Sequence, residues 1–343
     1  MLITFRYAII DIKTSRLKIQ ELSSWNSSDG TKIKKINDKR VKAAFVSLTR
    51  NVDLVGIRKT IRQIEDRFNR NYNYPYIFLN DKPFTDEFKK GVQVMTKANV
   101  TFGLVEGEAW SYPSYIDKQK AAETRKKAKY RYGKSESYRF MCRFQSGYFY
   151  RHPLLDGLEY YWRIEPDVEY FCDMDYDPFK YMKENKLVYG WNMAPMEFMA
   201  TIPTLWDSVL KFMDKYPQHI EPENFIKYVS GNGKKYNGCH FWSNFEIAEL
   251  SFYRSKKYED FFNFLDREGG FFYERWGDAP VHTIAAAMFL KKEQVHYFGD
   301  VGYYHPKMGF CPANSDKIGE CICDHRSKFQ INKQCVRRWK LIS

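Results

Sequence analysis

The stretch AAFVSLTRNVDLVGIRKTIRQIEDRF, residues 43–68, decides the fold. Residues 43–51 form an apolar run that ends in polar residues, which is typical of a buried strand. The apolar residues that follow recur at helical spacing: Leu54, Ile57, Ile61, Ile64 and Phe68. The stretch therefore predicts a β-strand that leads into an amphipathic helix.

The same order of elements continues along the chain. Residues 74–81 (YPYIFLND) predict a second strand, residues 84–96 a second helix and residues 100–105 (VTFGLV) a third strand. This β-α-β-α-β order predicts a mostly parallel sheet, whose ligands gather beyond the carboxyl ends of the strands. No glycine-rich phosphate motif follows the first strand, which excludes the ordinary dinucleotide-binding and P-loop folds.

Composition gives the broad class of the protein. The polar residues 23–42 read as a linker, so we expect a stem over residues 1–42 and one large domain over residues 43–343. A net charge of +13 indicates an anionic partner, and 18% aromatic residues are compatible with a ring-lined cleft. No run of 18 apolar residues is present, so the chain as given is not predicted to span a bilayer.

Four of the seven cysteines cluster near the C-terminus, at positions 311, 321, 323 and 335. Their spacing lacks the C-x-x-C pairs of a zinc site, so disulfides and an oxidising compartment are the favoured interpretation.

Two acidic clusters follow predicted strands. Glu165-Pro166-Asp167 is the kind of acidic pair that can hold a hard divalent cation against a nucleotide diphosphate. Asp173, Asp175 and Asp177 lack the glycine and glutamate of a calcium loop, so we interpret them as a surface turn that caps a helix near Pro178.

The segment YNGCHFWSNFE, residues 236–246, admits two interpretations. Ser243-Asn244-Phe245-Glu246 matches the capping box S-x-x-E, in which the glutamate only bonds the backbone of a helix start. The neighbouring His240 and aromatic residues, and a further polar-aromatic cluster near residues 274–282, favour one wall of a reaction site instead. There, Asp278 is predicted to be the N-cap of a helix within residues 272–290.

Several motifs together resemble the fungal α-1,2-mannosyltransferases of glycosyltransferase family 15. They are YNGCHFWSNFEI, GGFFYERWGDAPVH, SYRFMCRF, RIEP and CICD, and the resemblance extends from about Ala43 to the C-terminal cysteines. The resemblance implies a GT-A-like α/β fold with a mixed, mostly parallel sheet flanked by helices. It also implies GDP-mannose as donor, a mannose-terminated glycan as acceptor, Mn²⁺ as cofactor and retention of the anomeric configuration.

The resemblance assigns roles residue by residue. Glu246 matches the proposed nucleophile, and Tyr138 and Asp278 match catalytic residues near the sugar. Glu165 and His305 match the metal ligands. The donor-binding candidates are Arg50, Glu165, Tyr236, His240 and Trp242. Gly238 departs from the family pattern, in which we expect a bulkier residue, and this bears on acceptor preference.

The resemblance also implies a Golgi enzyme of protein glycosylation whose membrane anchor precedes residue 1. Two other functions stay open at this stage. One is mannosylphosphate or another hexosyl transfer on the same fold, and the other is non-catalytic binding of a polyanion or carbohydrate. Nucleic acid is not the expected partner, because the basic residues are spread along the chain and no RNA-binding motif is present.

Overall fold

A mixed sheet lies at the centre of the structure, a computed structural model that describes residues 40–312, 320–324, 326 and 333–342. In these residues its strands are β1 (Ala43–Leu48), β2 (Tyr76–Asn80), β3 (Val100–Leu104), β4 (Tyr160–Arg163), β6 (Tyr189–Trp191), β7 (Glu246–Glu249) and β8 (Val295–Tyr297). Their order is β3-β2-β1-β4-β7-β6-β8. All neighbours are parallel except at β7, which runs antiparallel to both β4 and β6. The predicted mixed, mostly parallel sheet is confirmed.

A smaller sheet carries β5 (Glu169–Tyr170), β9 (Tyr303–His305) and β10 (Met308–Phe310) in the order β10-β9-β5. Its central strand β9 pairs antiparallel with both neighbours. Since β5 follows β4 after a short turn, this pairing brings residues 303–305 beside the carboxyl end of β4.

Helices cover both faces of the large sheet. In the described residues they are α1 (Leu54–Arg67), α2 (Asp86–Gln93), α3 (Lys118–Lys127), α4 (Glu136–Gly147), α5 (Pro178–Glu184), α6 (Leu205–Lys215), α7 (Leu250–Tyr253), α8 (Lys256–Glu268), α9 (Gly270–Tyr273), α10 (Asp278–Phe289) and α11 (Gln334–Leu341). None of them is both long and apolar enough to cross a membrane.

Successive side chains of each strand point to opposite faces of the sheet, and so contribute to two separate hydrophobic cores. Phe45 of β1 packs with Ile57, Ile61 and Ile64 of α1, whereas Ala44 and Val46 join the core on the opposite face. All twelve residues of α10 are buried in that second core, as expected for a helix that is apolar on every side. The helix is therefore a rigid support for whatever lies at its first turn.

Local sequence patterns predicted most of these elements. Asp177 accepts hydrogen bonds from the amides of Phe179 and Lys180 at the start of α5, which confirms the surface-turn interpretation. Gly269, with φ +76°, ends α8 in the left-handed conformation that glycine favours. The second helix is shorter than predicted, because Thr85 caps it and only residues 86–93 are helical.

Two predictions of helix starts are wrong. The capping-box interpretation of residues 243–246 fails because Glu246 begins strand β7 and pairs with Arg163 of β4. Asp278 is the first residue of α10 and not its N-cap, which is Gly277.

Three disulfides join the described cysteines: Cys172–Cys321, Cys239–Cys335 and Cys311–Cys323. The prediction of disulfides is confirmed, although two of the three connect the C-terminal segment to the body of the domain. The predicted stem lies outside the described residues except for residues 40–42, and the chain divides at this point into Met1–Lys39 and Arg40–Ser343.

The lengths of the disulfide loops predict their contributions to stability. Cys239–Cys335 closes a separation of 96 residues and Cys311–Cys323 one of 12 residues. Replacing Cys239 and Cys335 together by alanine should cost about 2–4 kcal/mol of unfolding free energy, because the unfolded chain gains conformational freedom.

The matched control is the double alanine variant at Cys311 and Cys323. By the loop-closure relation its loss should be about 2 kcal/mol smaller. Guanidinium unfolding without reductant, followed by tryptophan fluorescence, measures both variants. Equal losses would show that loop entropy does not determine these contributions.

Candidate active site

A cleft of about 590 Å³ opens where β4 ends and β7 begins. Its walls come from the loops that follow β4 and β6, the loop before β7, the start of α10 and the β9–β10 hairpin. Six of the nine predicted site residues line it: Tyr138, Glu165, His240, Trp242, Asp278 and His305. Residues that are far apart in the sequence therefore meet in one cavity.

Arg163 connects two acidic groups at the base of this cleft. Its guanidinium lies 2.5 Å from Asp278 Oδ2 and 2.5 Å from Glu165 Oε1. Ser243 Oγ donates to the same Asp278 oxygen at 2.7 Å. The side chain of Arg163 is only 7% exposed, so its charge is compensated almost entirely by these partners.

These contacts set the ionisation of both carboxyl groups. Burial opposes the ionisation of Glu165, but the charge of Arg163 and the hydrogen bond with His305 lower its pKa to about 2. Burial likewise opposes the ionisation of Asp278, and the charges of Arg163 and His282 hold its pKa below the ordinary value. Both groups are therefore carboxylates at neutral pH.

Glu165 and His305 form a pair that could hold a divalent cation. His305 Nε2 lies 3.3 Å from Glu165 Oε2, and the other ring nitrogen of His305 is buried without a partner. Donor atoms about 2.1 Å from one octahedral cation lie about 3 Å apart, so the spacing fits two ligands of one ion. In the described ranges no group of three or more His, Cys, Asp or Glu side chains could hold a metal ion.

Aromatic side chains form the walls on either side of this pair. The ring of Trp242 lies 4.7 Å from that of His305. Tyr138 stacks on Tyr132 at 4.6 Å, and the guanidinium of Arg275 lies 5.2 Å from the Tyr138 ring centroid. Burial raises the pKa of Tyr138 well above its ordinary value, so its hydroxyl stays protonated and can donate a hydrogen bond.

Glu246 lies behind this cleft rather than in its lining. It is fully buried in β7, and its carboxylate accepts hydrogen bonds from the hydroxyls of Tyr161, Tyr189 and Tyr253. His282 Nδ1 lies 2.9 Å from Glu246 Oε2. Burial lowers the pKa of His282, but the charge of Glu246 outweighs it, so the net shift is upward. The position of Glu246 is set by a strand and not by a helix start, because Glu246 is the first residue of β7.

Two predicted donor-binding residues also lie outside the lining. The side chain of Arg50 is 69% exposed and pairs with Asp53 at 3.0 Å. Tyr236 is buried, stacks on Trp206 and donates to the carbonyl of Cys239 at 2.9 Å. His240 does line the cleft, and burial lowers its pKa.

Sequence reasoning missed several lining residues. Arg163 belongs to the quoted RIEP motif, and its position at the end of a buried strand was the available signal. Asn244 and Arg275 likewise belong to quoted motifs, whereas Glu197 belongs to none of them. The side-chain Oδ1 of Asn244 and the Nε of Arg275 are buried without partners, which marks the positions where a ligand could bond.

Comparison with known proteins gives a consistent result. The family model described as glycolipid 2-alpha-mannosyltransferase matches residues 8–343. The chain is 51% identical over 300 residues to glycolipid 2-alpha-mannosyltransferase 1 of Candida albicans, covering 86% of this chain and 69% of that protein. It is 50% identical over 293 residues to glycolipid 2-alpha-mannosyltransferase of Saccharomyces cerevisiae, covering 84% of this chain and 66% of that protein. The chain thus spans about two thirds of the length of these relatives.

Solved structures are similar over most of the described fold. Core-mannan synthase A of Aspergillus fumigatus, in its Mn/GDP form, has a TM-score of 0.81 at 39% identity, covering 88% of this chain and 83% of that chain. The mannosyltransferase Ktr4p of Saccharomyces cerevisiae, in complex with GDP, has a TM-score of 0.83 at 37% identity, covering 88% of this chain and 82% of that chain. The GT-A-like architecture expected from the sequence is confirmed.

Because Glu165 and Asp278 share the guanidinium of Arg163, we expect the stabilising effect of Arg163 to depend on pH. Replacing Arg163 by methionine leaves Glu165 and Asp278 buried without their cation, which should cost about 3–5 kcal/mol at neutral pH. Because the folded pKa of Glu165 is about 2, its contribution in the wild type is full above pH ~4.5 and is lost as the pH falls toward ~2. The deficit of the variant should therefore shrink as the pH is lowered.

Urea unfolding at neutral pH and near pH ~2.5, inside the window in which the Glu165 contribution is lost, measures this difference. Arg163→Lys, which keeps the charge, is the matched control and should lose less stability. A deficit that does not change with pH would show that Arg163 does not hold the two carboxyl groups ionised.

Proposed function

Because the chain belongs to the glycolipid 2-alpha-mannosyltransferase family, we propose that it transfers mannose from GDP-mannose to a mannose-terminated glycan. The observation that carries the proposal is the convergence of Glu165, His305 and Asp278 in one ring-lined cleft. The GDP of the solved relatives supports a nucleotide diphosphate as the donor's leaving group. We further propose that the transfer retains the anomeric configuration of the mannose and forms an α-1,2 linkage.

The donor's diphosphate is proposed to lie at Glu165 and His305. Manganese, which the Aspergillus relative contains, would be held there by a carboxylate oxygen and an imidazole nitrogen, and when bound it screens the charge of the departing diphosphate. Arg163 keeps Glu165 ionised for this purpose. Trp242 packs against the ring of His305 and so fixes the orientation of that ligand.

The transferred hexose is proposed to lie between Tyr138, Trp242 and Asp278. Retention requires a group on the face of the sugar opposite the leaving diphosphate. Asp278 lines the cleft as an ionised carboxylate, which supports direct contact with the sugar. Tyr138 can donate its hydroxyl proton to an oxygen in the cavity, and His240 stays neutral in the wall.

Glu246 is a second candidate for the nucleophile, beside Asp278. The resemblance predicts this role, but the carboxylate is bonded to three tyrosines and to His282 behind the cleft. His282 lies one turn after Asp278 on α10, so the Glu246–His282 pair also fixes the first turn of that helix. Glu246 therefore acts either on the sugar or as a positioning residue for Asp278.

The cellular setting is proposed from the resemblance and the disulfides. Three disulfides in the described residues support an oxidising, secretory compartment. We propose the Golgi lumen, with residues 43–343 as the catalytic domain, residues 1–42 as a stem, and a type II membrane anchor in the full-length protein.

Purified protein with radiolabelled GDP-mannose, Mn²⁺ and methyl α-mannoside tests the function. We expect an α-1,2-linked mannobioside, identified by NMR, and its absence together with absent GDP binding would overturn the proposal. A mannosylphosphate product would instead indicate the alternative transfer reaction.

In the same assay, His305→Ala should lose most Mn²⁺-stimulated transfer, because one of two protein ligands is gone. Mn²⁺ binding followed by EPR in the presence of GDP should weaken by about 10–100-fold. His296→Ala is the matched control, since His296 is a half-buried histidine outside the cleft lining. Unchanged Mn²⁺ binding by His305→Ala would remove His305 from the metal site.

Glu246→Gln should lower kcat by about 100-fold or more, because even a displacement of about 1 Å in the reacting groups has this effect. GDP affinity serves as the control and should change little, and the thermal midpoint checks that the variant is folded at the assay temperature. A variant that keeps most of its activity would exclude both roles of Glu246.

Azide separates the nucleophile from the positioning residue. In the alanine variant of the true nucleophile, azide can attack C1 of the mannose while the C1–O bond to GDP breaks, which yields β-mannosyl azide and GDP. We expect this product from Asp278→Ala and not from Glu246→Ala. The opposite result would assign the nucleophile to Glu246.

A further inference from the structure

Three exposed apolar side chains form one edge of the candidate cleft. Met196 is 48% exposed, Phe198 61% and Met199 42%. They lie in the loop between β6 and α6, and Met196 and Phe198 line the cleft itself. We call residues 196–199 the apolar lip. Adjacent exposed apolar side chains of this kind mark a contact surface.

The apolar lip is held in a fixed position. The amide of Glu197 donates to the carbonyl of Gly238 at 2.7 Å, and Met196 forms a β-bridge with Cys239. Cys239 is in turn fixed by its disulfide to Cys335. The lip is therefore preorganised, which lowers the entropic cost of binding a ligand.

Gly238, the position at which the resemblance leads us to expect a bulkier residue, contacts this lip. Its φ of +83° favours glycine, and a Cβ there would lie 3.5 Å from Met199 Sδ and 3.7 Å from Met196 Cε. A larger side chain would extend beyond this Cβ into the two thioethers. Glycine at position 238 thus leaves space for the side chains of Met196 and Met199.

The loop 238–242 places the apolar lip relative to the donor end of the cleft. Gly238 contacts the lip, the amide of His240 donates to the carbonyl of Pro195 at 3.2 Å, and Trp242 packs against the ring of His305. Four extended residues span at most about 13 Å. With the diphosphate at His305 and the hexose beside Trp242, as proposed above, the lip is within reach of a sugar bound next to that hexose.

The chemistry of the lip suits a neutral sugar. One face of a pyranose presents C–H groups that can stack on the exposed ring of Phe198, and the flexible thioethers adapt to its edge. Glu197 precedes Phe198 in the chain, and its Oε1 lies 3.8 Å from the guanidinium of Arg275. Since these charges compensate each other, they can bond hydroxyl groups without favouring a charged ligand.

We propose that the apolar lip binds the second sugar of the acceptor glycan, the residue that precedes the mannose receiving the transfer. This inference rests on the proposed function and extends it to acceptor selection. Phe198 is then a specificity-determining residue, and it should raise kcat/KM only for acceptors of at least two sugars.

The test compares methyl α-mannoside, α-1,2-mannobiose and p-nitrophenyl α-mannoside as acceptors. Phe198→Ala should lower kcat/KM for mannobiose by roughly tenfold, and leave methyl α-mannoside and the KM for GDP-mannose unchanged. Phe198→Tyr should restore the wild-type value, because it keeps the ring. Since Phe198 is exposed, the alanine variant should fold normally, which its thermal midpoint checks.

Val94→Ala is the matched control, because Val94 is 72% exposed and lies outside the cleft lining. Three outcomes would overturn the inference: an unchanged mannobiose preference in Phe198→Ala, a rise in the KM for GDP-mannose, or a loss confined to the p-nitrophenyl acceptor. The last outcome would assign the lip to an apolar aglycone. If the wild type transfers no mannose to any acceptor, the proposed function itself fails.

Discussion

The sharing of one buried guanidinium by two carboxylates is the constraint on which the cleft depends. Arg163 lies at the last position of β4, Asp278 at the first position of α10 and Glu165 in the turn beyond the strand. Burying charges has a large desolvation cost, so such a cluster adds little net stability compared with apolar packing. Its effect is geometric, because any other packing of α10 on the sheet would leave a charge without its partner.

The reversal of β7 explains why these groups meet at one edge. A parallel strand would begin at the opposite end of the sheet, whereas β7 begins where β4 ends, with Glu246 opposite Arg163. Directly opposed residues of an antiparallel pair project from the same face. The loop before β7 therefore delivers Trp242 and Ser243 to the cleft, and Glu246 enters the core beneath them.

Local patterns predicted the elements but not the pairing between them. The buried runs of β1 to β3 and the stripe of α1 are properties of short segments, and the sequence placed them within a few residues. The pattern S-x-x-E is equally compatible with a helix start and a strand start, and the pairing of Glu246 with Arg163, 83 positions away, decides between them. Disulfide partners depend on the same long-range geometry. Six of the nine candidate site residues line the cleft, and Glu246, Arg50 and Tyr236 do not. A motif match does not by itself give the direction of a side chain.

The charge of the cleft differs from that of the whole chain, and this difference bears on donor binding. The chain carries a net charge of +13, yet the charged residues of the lining, with histidines neutral, are three arginines and three carboxylates: Arg131, Arg163, Arg275, Glu165, Glu197 and Asp278. The excess positive charge therefore lies outside the cleft, as in the basic helix α3. A locally neutral cavity offers little attraction to a diphosphate on its own. In the proposed arrangement, a cation held by Glu165 and His305 would supply the missing positive charge, so affinity for the donor would depend on the metal. The neutral and apolar side of the same cleft would then be left for the acceptor.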